Sequence, residues 1–255
     1  MFSKIKQNKF SSNQMKILTR LKTPTVEEFK ENYFKTNIPC LISDSISHWK
    51  ALKNWKSKEY LIQNTTNKKI PIETSSYTNF ERKNIPFQTY LQNQSCGYLA
   101  QVKKKKIFFI TSIQHRLFDD FENLKNDFEI PNYCKLSGEG DNYSINAWIG
   151  PKNTISPLHF DPNPNFFCQI KGSKKFRIYD KKDSNFLYPH KNFRLKNTSQ
   201  IDLDKEIDDE KFPNFKSLEY WEFEIKEGEC LFIPMKFWHY VKSLDESISI
   251  NFWFR

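Results

Sequence analysis

The sequence predicts a mainly β fold, a barrel or jelly roll with helices ahead of it, on three observations. From Tyr143 onward, apolar and polar residues alternate with the period of two that a half-buried strand requires. The strands in that region are short, and Pro, Gly and Asn residues separate them. Before it, apolar residues recur at helical spacing behind polar capping residues. Many short strands with turns between them are typical of closed or sandwiched β architectures.

The first third of the chain is expected to hold helices and one short strand. Thr25 followed by Glu28 is a capping-box pattern, and Ser57 is placed to cap a second helix. The apolar run at residues 38–42 predicts a strand between them. Apolar residues recur at helical spacing over residues 116–128, which predicts a further helix packed on the core.

Four segments in the rest of the chain carry strand patterns. Residues 144–149, 176–179 and 247–254 alternate, and residues 230–233 form a fully apolar run. We find no internal repeat and no break in composition that would mark a domain boundary. A single domain is therefore expected.

Composition narrows the classes of function. The chain has 255 residues with 24 Phe, enough for one large core. Its net charge of +10 would attract acidic partners and nucleic acid, but the basic residues are scattered, and no zinc finger, long basic helix or aromatic RNA-binding motif is present. The charge is therefore interpreted as mostly solvated surface, and nucleic-acid binding stays open but is not favoured. No apolar run approaches the length of a membrane span, so no membrane association is expected.

The cysteines indicate a reducing compartment. They follow no C-x-x-C spacing and their number is odd, which favours free thiols. They are Cys40, Cys96, Cys134, Cys168 and Cys230. Residues 1–26 contain lysines and no acid, yet arginine is scarce there, so a mitochondrial targeting segment is not favoured. We expect a nuclear or cytoplasmic location.

Candidate metal ligands lie in the stretch SPLHFDPNPNF at residues 156–166. His159 and Asp161 are two residues apart, so on a strand they would face the same side. His239 follows the strand predicted at residues 230–233 and stands among aromatic residues. Two histidines and one carboxylate form the facial triad of non-haem Fe(II) enzymes. An ordinary polar pair in a loop is the alternative.

Lys174 is a second candidate site residue. It follows Asn165 across the apolar run of residues 166–170. A lysine inside an apolar barrel needs an anionic partner, because burying its charge alone is costly. A dicarboxylate that chelates iron at one end would supply that anion at the other. The sequence equally allows a solvated lysine in the turn of residues 171–175.

Six blocks of sequence, in this order, resemble the JmjC oxygenases. They are GYLAQ (97–101), INAWIGP (145–151), TISPLH (154–159), LYPH (187–190), NTSQ (197–200) and FIP with WHYV (232–241). The similarity is greatest to the protein arginyl hydroxylases around jumonji domain-containing protein 5. It implies a double-stranded β-helix, a cupin-like jelly roll, over residues 21–255 after an extension of residues 1–20. It also implies dependence on Fe(II), 2-oxoglutarate and dioxygen.

The resemblance assigns roles to individual residues. Iron would be held by His159, Asp161 and His239. The cosubstrate 2-oxoglutarate would be bound by residues around its pocket, namely Tyr98, Ser156, Asn165, Lys174, Trp148 and Asn251. Lys174 would pair with the distal carboxylate, and Trp148 would form a wall. The family often has a smaller residue at the position of Asn251. Glu73 matches an acidic residue that would receive a cationic substrate side chain.

The chain departs from the family pattern in two places. The tryptophan that relatives carry shortly after Glu73 has no clear counterpart, and Phe80 would stand in for it, which leaves the substrate in question. Residues 102–114 form an insertion that relatives lack. Two explanations are considered: a basic hairpin beside the cosubstrate strand, or an unspliced intron in the gene sequence.

The expected function is a 2-oxoglutarate-dependent dioxygenase that hydroxylates C-3 of arginine in a protein substrate. Three alternatives stay open: demethylation of methyl-lysine in a histone or other protein, hydroxylation of a tRNA base, and an iron-free JmjC binding module. Some related oxygenases dimerise through helices after the barrel. The sequence has none there, so a monomer is expected.

Overall fold

The computed structural model describes residues 14–76, 79–93, 109–111, 117–136 and 144–254. Its strands, in chain order, are β1 (Met15–Lys16), β2 (Thr19–Leu21), β3 (Cys40–Ile42), β4 (Lys69–Ser76), β5 (Asn79–Pro86), β6 (Phe109–Thr111), β7 (Ser144–Gly150), β8 (Ile155–Phe160), β9 (Asn165–Lys171), β10 (Lys174–Tyr179), β11 (Tyr220–Ile225), β12 (Cys230–Ile233), β13 (Trp238–Ser243) and β14 (Ser247–Trp253).

The helices are short. The α-helices are α1 (Val26–Phe29), α2 (Ala51–Asn54), α3 (Lys58–Gln63), α4 (Phe87–Asn93) and α5 (Leu117–Asp120). A π-turn covers Lys30–Phe34, and 3-10 turns cover Glu122–Asp127, Asn132–Lys135, Lys181–Leu187, Phe193–Leu195 and Phe215–Ser217. Among these described helices, none has the length and apolar character needed to cross a membrane.

Strands β7–β14 form a jelly roll of two facing sheets. One sheet has the order β2-β3-β12-β9-β14-β7, and the other has the order β1-β11-β10-β13-β8. Each sheet takes four strands from β7–β14, and every pairing among those eight strands is antiparallel. Strands β4, β5 and β6 make a separate three-stranded sheet. The predicted mainly β, double-stranded β-helix fold with preceding helices is confirmed.

The outer face of the six-stranded sheet packs against the N-terminal helices. Alternate residues of its strands enter one apolar core with aromatic residues of the helical segments, because successive side chains of a strand point to opposite faces. Members of this core include Phe166, Cys168, Phe232, Ile250 and Phe252 from the sheet and Phe29, Trp55 and Phe118 from the helical segments. Burying each large side chain contributes roughly 1.5–3 kcal/mol, so this core anchors the sheet.

The inner face of the same sheet carries polar residues beside apolar ones, since Leu41, Phe167, Leu231 and Ile233 join an apolar cluster with the facing sheet. Trp148, Asn165, Gln169, Ser249 and Asn251 alternate with the outer-face residues and are hydrogen-bonded to one another. Gln169, Ser249 and Asn251 have no exposed surface. Buried polar groups are stable only when hydrogen-bonded, so these contacts fix the side chains that face the interior of the barrel.

The turn between β9 and β10 requires glycine. Gly172 has φ of +69°, and a Cβ there would lie 2.4 Å from the carbonyl oxygen of Glu246. Only a residue without a Cβ tolerates both conditions. The turn sets the start of β10, whose first residue is Lys174.

Most of the local predictions are confirmed, and one is corrected. The capping box is present, with Glu28 N donating to Thr25 Oγ1 at 3.2 Å, and Ser57 caps α3. The helix predicted over residues 116–128 is wrong as a continuous element. It ends after α5, Phe121 leaves helical geometry at φ −133° and ψ 74°, and a 3-10 turn follows. Tertiary packing overrides the helical period here, because Phe121 stacks on Phe87 at a centroid distance of 5.1 Å.

The thiol prediction is confirmed for the four described cysteines. They are free and buried: Cys40, Cys134, Cys168 and Cys230. Cys168 and Cys230 face each other across β9 and β12, with Sγ atoms 3.2 Å apart. The fifth, Cys96, lies outside the described residues. Of the insertion at residues 102–114, only β6 is described, and it pairs with β4.

A buried carboxylate joins the helical segments. Asp127 is 3% exposed and accepts hydrogen bonds from Asn54 Nδ2 at 2.9 Å, Trp55 Nε1 at 2.8 Å and Tyr60 OH at 2.9 Å. These donors belong to α2, α3 and the residue after α2, so one side chain fixes three points of the helical layer.

Replacing Asp127 by alanine is expected to lower the free energy of unfolding by roughly 2–4 kcal/mol, because buried donors lose a charged acceptor. Urea denaturation measures this change. Asp119→Ala, at an exposed aspartate of α5, is the matched control and should change stability by less than about 0.5 kcal/mol. Equal effects of the two substitutions would contradict the structural role given to Asp127.

Candidate metal centre

Strands β8 and β13 bring together the three predicted metal ligands. His159 and His239 are direct partners across the two strands, with ring centroids 4.3 Å apart. Asp161 follows the end of β8. Its carboxylate oxygens lie 3.7 Å from His159 Nε2 and 3.6 Å from His239 Nε2. One ligand atom from each residue lies within 4.8 Å of the others. Among the described residues, these three form the cluster of side chains that could bind a metal ion.

Backbone carbonyls orient both imidazoles. His159 Nδ1 donates to the Pro157 carbonyl at 2.7 Å, and His239 Nδ1 donates to the Phe237 carbonyl at 3.1 Å. A carbonyl oxygen only accepts, so each Nδ1 carries the hydrogen and each Nε2 keeps its lone pair. Burial, with the neighbouring His159 adding to it, lowers the pKa of His239 to about 4. Its imidazole is therefore neutral at pH 7, as metal binding requires.

Two side chains hold the third ligand. Asp161 Oδ2 accepts hydrogen bonds from Asn165 Nδ2 at 3.1 Å and from Trp253 Nε1 at 3.2 Å. No hydrogen bond to Oδ1 occurs among the described residues, so that oxygen is available to a metal. Two neutral imidazoles and one carboxylate match the donor set of non-haem Fe(II) sites, and the residues present fit that ion.

A β-bulge in β8 directs Ser156 to the same cavity. His159 pairs with His239 and Ser156 pairs with Val241, so β8 uses one residue more than β13 over this interval. In a regular strand, residues three apart point to opposite faces. The extra residue reverses that alternation, and both Ser156 and His159 line the cavity.

Lys174 lies inside the barrel and not in solvent. It is 5% exposed, and burial lowers the pKa of its ammonium to about 7. Its Nζ lies 5.4 Å from the centre of the Phe167 ring. Within the described residues it has no carboxylate partner. The alternative of a solvated turn lysine is therefore excluded, and the described residues provide no anionic partner for this lysine.

One cavity connects the triad to Lys174. This cavity is partly open to solvent. The polar lining consists of Trp148, Ser156, His159, Asp161, Asn165, Lys174 and His239, and the apolar lining of Phe167, Phe176, Ile233 and Val241. A cavity with metal ligands and a buried cation in its wall suits a small anion that also coordinates a metal.

The predicted cosubstrate residues differ in their surroundings. Trp148, Ser156, Asn165 and Lys174 line the cavity. Asn251 has no exposed surface, and both ends of its amide are occupied: Oδ1 accepts from Trp148 Nε1 at 2.8 Å, and Nδ2 donates to Asn165 Oδ1 at 3.1 Å. Its connection to the cavity therefore runs through those two residues.

Three predicted residues cannot be placed in the site. Tyr98 lies outside the described residues. Glu73 lies on β4 opposite Arg82, and Phe80 lies on β5 opposite Ser75, but their side chains are outside the described part of the structure. Their assigned roles stay predictions.

Trp253 is the contact of Asp161 that the sequence reasoning missed. The alternation of residues 247–254 places it on the same face of β14 as Asn251, so the signal was present in the period of the strand. The apolar walls of the cavity were missed as well, because apolar residues that line a cavity and apolar residues of the core follow the same pattern.

Comparison with known proteins gives a family and named relatives. A model of the cupin-like domain matches residues 26–255. JmjC domain-containing protein D of Dictyostelium discoideum is 36% identical over 96% of this chain and 58% of its own length. Lysine-specific demethylase 8 of Xenopus tropicalis is 38% identical over 92% of this chain and 52% of its length. JmjC domain-containing protein C of D. discoideum is 31% identical over 93% of this chain and 69% of its length.

The chain spans little more than half the length of the first two of these relatives. The region that the cupin-like model matches, residues 26–255, contains strands β3–β14 and the three residues of the triad. The chain therefore belongs to the cupin-like domain family and, within it, to the JmjC domain-containing proteins.

Proposed function

We propose that this chain is an Fe(II)- and 2-oxoglutarate-dependent oxygenase that hydroxylates a cationic side chain of a protein, with C-3 of arginine as the favoured position. The observation that carries the proposal is a single cavity whose wall holds a two-histidine, one-carboxylate cluster and a buried lysine for which the described residues offer no anionic partner. Fe(II) and the dicarboxylate 2-oxoglutarate together match both features.

Different residues of the cavity would bind the metal and the cosubstrate. His159 and His239 would bind Fe(II) through Nε2, and Asp161 would bind it through its carboxylate. Lys174 would pair with the distal carboxylate of 2-oxoglutarate, with hydroxyl groups of Ser156 and Tyr98 beside it. When bound, the iron and cosubstrate supply oxidation of an unactivated C–H bond by dioxygen. Phe167 and Phe176 make the cavity wall apolar, which excludes water and strengthens the lysine–carboxylate attraction.

The substrate is inferred from chemistry and from relatives. Glu73 would attract a cationic side chain, which fits both arginine and methyl-lysine. Lysine-specific demethylase is the name of relatives from Xenopus tropicalis and Arabidopsis thaliana, so demethylation is the second candidate. Both candidates share one event, hydroxylation of a C–H bond. On an N-methyl carbon, the product loses formaldehyde, whereas C-3 of arginine keeps the hydroxyl group.

Replacing His159 or Asp161 by alanine is expected to abolish 2-oxoglutarate turnover, because the two ligands that remain are too few to hold the metal. Release of succinate in the presence of Fe(II) measures this. His48→Ala, at an exposed histidine, should retain turnover. Turnover in either triad variant at the level of the His48 variant would refute the metal assignment.

The lowered pKa of Lys174 predicts that cosubstrate binding depends on pH. Its pKa is about 7 in the free cavity, and pairing with a carboxylate raises it. Above pH 7 the free lysine is neutral and must take up a proton when 2-oxoglutarate binds, so affinity should fall as the pH rises and be insensitive to this group below pH 7. Calorimetry of Mn(II)-loaded protein at pH 8, in buffers of different ionisation enthalpy, should detect this proton uptake.

Lys174→Met should remove the proton uptake and weaken cosubstrate binding by roughly 2–5 kcal/mol, the scale for loss of one partner from a buried charge pair. Lys175→Met is the matched control. Lys175 is the next residue of β10 and pairs with Glu222 at 2.7 Å, away from the cavity. Unchanged affinity in the Lys174 variant would contradict the assigned role.

The product identifies the substrate class. Peptides that contain arginine, and matched peptides that contain methyl-lysine, are incubated with protein, Fe(II) and 2-oxoglutarate and are then examined by mass spectrometry. We expect the gain of one oxygen atom on arginine. Loss of a methyl group from lysine would establish the second candidate instead, and turnover without a change in either peptide would contradict both.

A further inference from the structure

A chain of hydrogen bonds crosses the inner face and ends on the candidate metal ligand Asp161. Trp148 Nε1 donates to Asn251 Oδ1 at 2.8 Å, and Asn251 Nδ2 donates to Asn165 Oδ1 at 3.1 Å. Asn165 Nδ2 then donates to Asp161 Oδ2 at 3.1 Å. A second donor, Trp253 Nε1, reaches the same oxygen at 3.2 Å.

The direction of this chain is fixed by its first member. An indole N–H donates and does not accept, so Asn251 must turn its carbonyl toward Trp148. Its NH₂ then faces Asn165, whose carbonyl has to accept, and the NH₂ of Asn165 is left for Asp161. The orientation of an amide side chain is ambiguous in isolation, but here each amide has one orientation that satisfies both neighbours.

The two amides and the carboxylate are protected from solvent, whereas Trp148 and Trp253 are partly buried. Asn251 has no exposed surface, Asn165 is 4% exposed and Asp161 is 8% exposed. Loss of a buried partner leaves an unsatisfied polar group, so the neighbouring amide would have to reorient. The chain and Trp253 together occupy Oδ2 of Asp161 and set the rotation of its carboxylate, which leaves Oδ1 for the metal.

We propose that Asn251 and Trp253, both on the last strand, are positioning residues for the metal ligand Asp161. Asn251 acts through Asn165, and Trp253 acts directly. This inference rests on the proposed metal site. It gives Asn251 a different role from that of a direct cosubstrate ligand, because both ends of its amide are already occupied.

The test measures the affinity of the full chain for Mn(II) in the absence of cosubstrate. Electron paramagnetic resonance of free and bound Mn(II) gives this affinity. Asn251→Ala breaks the chain. Asn251→Leu keeps approximately the size of the side chain but removes both the acceptor for Trp148 and the donor to Asn165. Partners that orient metal ligands typically change metal affinity 10–100-fold, so both variants should weaken Mn(II) binding by about that factor.

Ser249→Ala is the matched control. Ser249 lies two residues before Asn251 on the same face of β14, is equally buried, and donates to Gln169 and not to the chain that reaches Asp161. It should bind Mn(II) like the unaltered protein. Thermal melting of all variants separates loss of folding from loss of metal binding.

Trp253→Phe removes one donor to Asp161 and keeps an aromatic ring, so it should fold and still weaken Mn(II) binding. If the Asn251 variants do not fold, the Mn(II) affinity of this variant tests whether the contacts of Asp161 position it for the metal. Affinities equal to that of Ser249→Ala, in folded variants, would overturn the positioning role and leave the metal site intact. Absence of Mn(II) binding by the unaltered chain would instead overturn the proposed function and this inference with it.

Discussion

Burial of charged groups between the two sheets is the constraint on which the rest of the structure depends. Lys174, Asp161 and His239 all lie in the interior, where an uncompensated charge is costly. His239 meets this constraint by being neutral, and Asp161 meets it by accepting two hydrogen bonds. Lys174 has no carboxylate partner within the described residues, and burial lowers the pKa of its ammonium to about 7. An anion bound in the cavity would favour the charged form of Lys174, and a divalent cation beside Asp161 would compensate the charge of the carboxylate.

The two faces of the six-stranded sheet differ in role: the outer face packs against the helical layer, and the inner face lines the cavity. The outer face is joined to the helical layer by aromatic packing, and the buried Asp127 ties that layer together. This packing holds the strands in place without using any group that faces the cavity. The inner face is thus free to carry amides and indoles, which would weaken an ordinary core. Their mutual hydrogen bonds allow these polar groups to lie beside the apolar cluster of Phe167, Phe176 and Ile233 between the sheets.

Much of the architecture could be predicted from the sequence, because alternation in the last strands is a direct consequence of one buried face. The triad could be predicted from the spacing of His159 and Asp161 and from the family blocks. The bulge in β8 could not, since it depends on the register between two strands far apart in sequence. The direction of the Asn251 amide could not either, because it is set by Trp148 on another strand. The break at Phe121 likewise reflects packing on Phe87.

The central claim is that one cavity binds a metal at the triad and a dicarboxylate that reaches Lys174. The most direct measurement is a crystal structure of the full chain grown with Mn(II) and 2-oxoglutarate under anaerobic conditions. The account predicts anomalous density for Mn(II) in contact with His159, Asp161 and His239, and a carboxylate of the bound 2-oxoglutarate in an ion pair with Lys174 Nζ. Mn(II) bound elsewhere, or 2-oxoglutarate without contact to Lys174, would contradict it.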